Sequence, residues 1–179
     1  MLKANFITAQ EAAEKIQDGS TLCTIGMTLV SASESILKAI EKRFETVGHP
    51  ADITLVHSCG QSDRKDGIQH LAHEGLVKRI VGSHWGLQPR WMEMIANSQV
   101  EAYCLPQGQI AQLYRSMACG LPGKMSKVGL GTFIDPRVEG GKMNDRTKPL
   151  PDIVDILEYG GEEYMFYKEI PLDLSLIHI

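Results

Sequence analysis

Two short segments put polar groups where a strand gives way to a helix. The first is Ser20 to Gly26 (STLCTIG), which is β-rich and ends in glycine; Met27 to Val30 follows, and then Ser31 or Ser33 as the cap of a helix. A loop of this kind presents free backbone N–H groups at the carboxyl edge of a sheet, where they can hold a carboxylate, a phosphate or a developing oxyanion. The plainer reading is a connection, with Glu34 in the first turn complementing the helix dipole. The second segment is Pro106, Gln107 and Gly108, directly after the apolar run Val100 to Leu105. Its neutral amide can donate to a carbonyl or accept from a hydroxyl or amide, and its plainer reading is a helix-capping turn. Cys119 to Gly123 (CGLPG) adds backbone with few side chains, suited to a close-lying ligand or to a turn.

Other candidates carry less. His70 and His73 are spaced to project near each other on a helix, and with His57 and Cys59 they make a conceivable metal set. Zinc ligands usually show tighter pairing, so these read as exposed or hydrogen-bonded histidines and no metal is expected. No Gly-x-Ser-x-Gly elbow surrounds Ser116 or Ser126. Cys23 and Cys104 lie in strand-like apolar runs, where a thiol is ordinarily a small buried hydrophobe.

The elements that must position these groups follow from periodicity. Thr8 and Glu11 form a capping box before Ala12, Ala13 and Ile16, and Asp18 and Gly19 stop that helix. Ile36, Leu37, Ile40 and Phe44 recur at helical spacing. Strands are expected at Asp52 to His57, Val77 to Val81, Val100 to Leu105 and Lys127 to Phe133, and helices at Pro89 to Ala96 and Ile110 to Ala118. Such alternation indicates an α/β fold, a mainly parallel sheet with helices on both faces. After Phe133 an irregular stretch precedes a hairpin, Val154 to Tyr159 and Glu163 to Tyr167, turning at Gly160 and Gly161.

With 43% hydrophobic and 22% charged residues, the 179-residue chain has apolar mass for one sizeable core. Eighteen basic against 22 acidic residues give a net charge of -4 and no basic stripe, which argues against nucleic acid as a partner. No run approaches a membrane span, and Met1 to Ile16 carries Asn5, Gln10, Glu11, Glu14 and Lys15 where a signal peptide needs an apolar core. Four cysteines without close pairing fit reduced thiols, and the chain reads as cytoplasmic.

Asp18 to Thr21 leading to Gly26, HEGLVKRIVGSHW (His73 to Trp85), EAYCLPQG (Glu101 to Gly108) and KVGLGTFIDPRVEGGKMND (Lys127 to Asp145) resemble the N-terminal portion of family I CoA-transferases. The propionate or acetate branch, the short-chain acyl-CoA:carboxylate CoA-transferases, is the most similar, through its GTFIDPR and GGK elements. The resemblance implies a three-layer CoA-transferase fold and ping-pong exchange of CoA between a short-chain acyl-CoA and a free carboxylate such as acetate. It implies a glutamate nucleophile in a C-terminal half outside this chain, no cofactor beyond coenzyme A as substrate and covalent partner, and a homo-oligomer. Gln107 matches the glutamine of a Pro-Gln-Gly or Ser-Gln-Gly turn that faces the active site, and Gly26 matches a glycine of the loop after the first strand. The substrate-binding set it implies here is Gly26, Met27, Gln107 and Gly108, with no catalytic residue in the chain. Leu29 stands where related enzymes often carry a second glycine, a departure that bears on acyl-chain preference.

Two alternatives are a ligand-sensing α/β domain and the α subunit of a two-chain transferase. The first wants a basic helix-turn-helix near the N-terminus and the second a natural C-terminus after this domain. Residues 1–173 are read as the CoA-transferase domain. The apolar LSLIHI of 174–179 is read as a truncation or an adaptor-derived tail, or else as the start of a strand cut short, so that the chain is a fragment on either reading.

Overall fold

The computed structural model describes residues 4–177. Four βα steps build a parallel sheet. Strand β1 (Thr21–Thr24) leads to helix α2 (Glu34–Val47), after a short α1 (Ala9–Glu14) whose Thr8–Glu11 capping box forms as expected. Strand β2 (Ile53–His57) leads through a 3-10 turn (Gly67–Leu71) to β3 (Val77–Gly82), α3 (Pro89–Ala96), β4 (Glu101–Cys104) and α4 (Gln107–Ala118). Strand β5 (Gly123–Ser126) and the hairpin β6 (Val154–Tyr159) and β7 (Glu162–Lys168) form a separate antiparallel sheet in the order β5-β7-β6. Strand β8 (Leu174–Leu176) returns to pair in parallel with β1, so the main sheet runs β4-β3-β2-β1-β8. Thus the first residues of the apolar LSLIHI are sheet; His178 and Ile179 lie outside the described residues.

Strand alternation divides the core in two. Leu22, Leu55, Ile80 and Ala102 face α1, α2, the 3-10 turn and α3, and pack with Ile16, Leu37, Ile40, Ile68 and Trp91. Val56, Val81 and Tyr103 face the other way, onto Ile110 of α4 and Val154, Met165 and Tyr167 of the second sheet. This is the expected three-layer α/β arrangement, with a hairpin sheet sharing one of the outer layers.

The strand expected over Lys127 to Phe133 is absent; extended structure lies just before it, in β5. Gly129 (φ 98°) and Gly131 (φ 69°) bend the segment into turns that no strand backbone admits. Helix α4 begins at Gln107, three residues earlier than its apolar periodicity indicates. Ser33 is the N-cap of α2, yet its side chain makes no capping hydrogen bond. At the hairpin tip Gly160 (φ 65°) and Gly161 (φ 77°) take the primed turn that the glycine pair announces.

The GTFIDPR and GGK segments act as fasteners. The buried Asp135 carboxylate accepts from the Gly131 N–H at 2.9 Å and from the Arg137 N–H and Nε at 3.0 Å. Arg137 also reaches Glu163 in β7 at 2.9 Å, and its guanidinium holds the Asp135 carboxyl far below the usual carboxylate range. Farther on, the Cys104 N–H donates to the Gly141 carbonyl at 2.7 Å and the Met143 N–H to the Ala102 carbonyl at 3.0 Å, so the GGK segment covers the outer edge of β4. Asn144 bolts it down. Its Nδ2 donates to the Ile95 and Val100 carbonyls, each at 2.9 Å, and its Oδ1 accepts from the Thr147 hydroxyl at 2.6 Å. Asn144→Ala leaves buried partners unmatched and lowers stability by about 2–4 kcal/mol, read from urea unfolding; a loss below about 1 kcal/mol would show the strap to be incidental.

Candidate active site edge

Parallel pairing sends every βα connection out on the same side of the sheet. The register aligns Thr24 with His57 and Gly82 with Cys104, so these residues end their strands in one row. Gly26 and Met27 leave that row from β1, and Pro106 to Gly108 from β4, with β2 and β3 between them. At about 4.8 Å per strand the two loops stand roughly 14 Å apart across a common edge.

The Gly26 loop is a tight reversal. The Met27 N–H donates to the Val30 carbonyl at 3.1 Å and the Val30 N–H to the Met27 carbonyl at 2.9 Å. Gly26 sits at φ 153°, and a Cβ there would come within 2.7 Å of the Val30 oxygen, so glycine is a structural requirement of the turn. The Met27 N–H, expected to be free, is taken by Val30; what Met27 offers is its exposed side chain, beside the equally apolar Leu29 and Val30. The Gln107 loop has the opposite character. Pro106 is the N-cap of α4, no side chain caps the first turn, and Gln107 and Gly108 are both exposed. A Cβ on Gly108 would meet nothing within 4 Å, so no packing within the described residues demands glycine there.

Between these loops the edge is buried and polar, which sequence reasoning missed. His57 is fully buried. Its Nδ1 lies 3.0 Å from the Cys59 carbonyl, which can only accept, so Nδ1 carries the proton and Nε2 is left without a donor among the described residues. Trp85 approaches edge-on at 4.9 Å, and the side-chain amide of Gln88, the Trp85 indole N–H and the Thr24 hydroxyl are likewise buried without partners among those residues. The one sequence signal is a row of polar residues, HSCGQ and SHWG, interrupting strand ends where a packing rule wants apolar ones.

His57, His70 and His73 do not form one set. His70 Nε2 pairs with Glu34 at 2.8 Å, its Nδ1 pairs with Glu41, and His73 Nε2 meets Glu41 at 2.9 Å. Donor atoms of Glu34, Asp66 and His70 do converge, but the Lys38 ammonium already lies 3.0 Å from Glu34 and 3.3 Å from Asp66. The group reads as an ion-pair network joining α2 to the 3-10 turn. Burial pushes the Cys23 and Cys104 thiols up, away from nucleophilic thiolate character.

Residues 6–179 match the family model described as Coenzyme A transferase, and the chain belongs to that family. It is 42% identical over 175 residues to a caffeate CoA-transferase of Acetobacterium woodii, covering 97% of this chain and 33% of that protein. It is 37% identical over 173 residues to the acetate CoA-transferase YdiF of Escherichia coli K12, covering 96% of this chain and 32% of that protein. The chain therefore spans about a third of the length of these curated relatives. Among solved structures, an acyl-CoA transferase (YdiF) of Escherichia coli O157:H7, in a thioester complex with CoA, superposes with a TM-score of 0.90 at 35% identity, covering 94% of this chain and 33% of that one. The glutaconate coenzyme A-transferase of Acidaminococcus fermentans shares the fold, with a TM-score of 0.69 at 18% identity.

The buried His57 and the half-buried His70 give opposite pH slopes. Burial pushes the His57 pKa down to about 4, so the unfolded chain binds its proton first and stability falls as pH drops from about 6.5 toward 4, by on the order of 3 kcal/mol. For His70 burial disfavours the charge, but its bonds to Glu41 and Glu34 outweigh that and raise the pKa. Its contribution is complete below the ordinary value of 6.5 and is lost as pH rises through the raised one. Melting temperature across pH 4 to about 9 therefore peaks between the two slopes; His57→Asn flattens the acid side and His70→Gln the alkaline side.

Proposed function

We propose that this chain supplies one wall of a site that exchanges CoA between a short-chain acyl-CoA and a free carboxylate such as acetate or propionate. The observation that carries the reading is the uncapped first turn of α4, where Gln107 and Gly108 stand exposed, in a chain of this family. The resemblance to family I CoA-transferases implies an attacking glutamate on polypeptide outside this chain, and the absence of any acidic residue from Gly26 to Ser31 and from Leu105 to Gln109 agrees with that. That carboxylate adds to the thioester carbonyl and expels CoA thiolate, leaving a mixed anhydride. The thiolate then attacks the glutamyl carbonyl, expels the substrate carboxylate and leaves a glutamyl-CoA thioester, which the acceptor carboxylate takes through the same steps in reverse. No proton or electron is gained or lost overall.

Each addition puts negative charge on a carbonyl oxygen, and the Gln107 amide is suited to stabilise it as a preorganised donor. Relatives of about three times this length, at 42% and 37% identity, favour this reading over a separate α subunit or a ligand-sensing domain. The exchange needs no metal or organic cofactor, since coenzyme A is both substrate and covalent partner. The setting is a cytoplasmic homo-oligomer.

The test uses the longer enzyme that contains this chain. After incubation with propionyl-CoA and digestion, the CoA adduct found by mass spectrometry maps outside residues 1–179; an adduct on any glutamate within them would overturn the reading. The 179-residue chain alone gives no exchange between propionyl-CoA and acetate. Gln107→Ala in the longer enzyme lowers the exchange rate on the order of 10-fold to 1000-fold, and an unchanged rate reduces Gln107 to a turn residue. Gly108→Ala separates site from scaffold: it leaves stability unchanged or raises it by up to about 1 kcal/mol, yet lowers exchange.

A further inference from the structure

We propose that His57 is a positioning residue for the Pro106–Gln107–Gly108 turn, acting through Gly82. The proposal rests on the reading of that turn as substrate-facing. The imidazole lies directly over the bare Cα of Gly82: a Cβ there would stand 2.6 Å from His57 Nε2. The Gly82 carbonyl in turn accepts the Leu105 N–H at 2.9 Å, the last sheet bond before Pro106 caps α4. A second route closes on the same place. The Cys104 thiol donates to the Ser83 carbonyl at 3.7 Å, and the Ser83 hydroxyl donates to the carbonyl of Ser58, the neighbour of His57. With Trp85 edge-on at 4.9 Å, the ring has no room to move, and its Nδ1–H bond to the Cys59 carbonyl fixes its tilt. The ends of β2, β3 and β4 are thereby locked to one another immediately before Gln107.

Packing alone would not select histidine here. Its Nε2 is buried with no donor among the described residues, a cost that an apolar side chain of similar size avoids. What histidine supplies is a rigid flat ring with one fixed N–H, against which only a glycine can close. Since misplacement of a polarising donor by about 1 Å costs on the order of 100-fold in rate, the fit beneath Gln107 bears on turnover.

Three substitutions in the longer enzyme test this by steady-state kinetics with propionyl-CoA and acetate. His57→Leu removes both ring nitrogens, His57→Asn keeps an N–H at the Nδ1 place, and Gly82→Ala presses on the ring from the other side. His57→Leu and Gly82→Ala lower kcat on the order of 10-fold or more while KM for propionyl-CoA changes less than about 3-fold, and His57→Asn recovers most of the rate. In a Gln107→Ala background His57→Leu and Gly82→Ala cost little more, because the group they position is gone. Full additivity with Gln107→Ala, an effect confined to KM, or no recovery with Asn overturns the proposal while leaving the functional reading intact. Wild-type enzyme without exchange overturns the functional reading, and this inference with it. If His57→Leu does not fold, the double-mutant cycle of Gly82→Ala with Gln107→Ala decides between coupling and independence.

Discussion

Parallel pairing is the constraint on which the rest of the molecule depends. Strands that run the same way must all leave the sheet at the same edge, and here β1 to β4 bring Thr24, His57, Gly82 and Cys104 into line there. The alternation of Leu22, Leu55, Ile80 and Ala102 on one face with Val56, Val81 and Tyr103 on the other fixes the register, since a slip of one residue would turn both cores inside out. The loops at the edge can therefore differ widely in character. The Gly26 turn is closed on itself, the Gln107 turn is open, and the segment between them is buried and polar.

The GTFIDPR and GGK segments, on which the resemblance in the sequence rests, serve the scaffold. Asp135 and Arg137 clamp a glycine-rich turn and reach across to Glu163, while Gly141 to Thr147 lies along β4. A Cβ on Gly141 would come within 2.6 Å of the Cys104 carbonyl, so the close approach of strap to strand requires glycine there.

Much of the architecture is legible in the sequence because helix and strand periods are local properties. The capping box at Thr8, the strand at Val77, the helix at Pro89 and the turn at Gly160 all depend on residues within a few positions of one another. Lys127 to Phe133 misleads for the same reason: KVGLGTF has strand composition, but two glycines at positive φ and the Tyr167 hydroxyl on the Val128 carbonyl at 2.6 Å fold it into turns. Gln107 stands out because it follows a strand and precedes a helix. His57 does not, since its surroundings come from Gly82 and Trp85, and nothing in HSCG foretells a ring stacked on a glycine of the next strand. The histidine pairs are likewise set by distant partners: spacing suggests His70 with His73, and the fold ties both to Glu41.

The strap along β4 gives the main sheet two unlike borders. On that flank the outward amides of Ala102 and Cys104 are already satisfied, by Thr147 and by the Gly141 carbonyl. On the opposite flank, among the described residues, β8 is held only from within, through β1. Lateral growth of the sheet beyond β4 is thereby closed off, because a further strand would find the outward amides of Ala102 and Cys104 already taken.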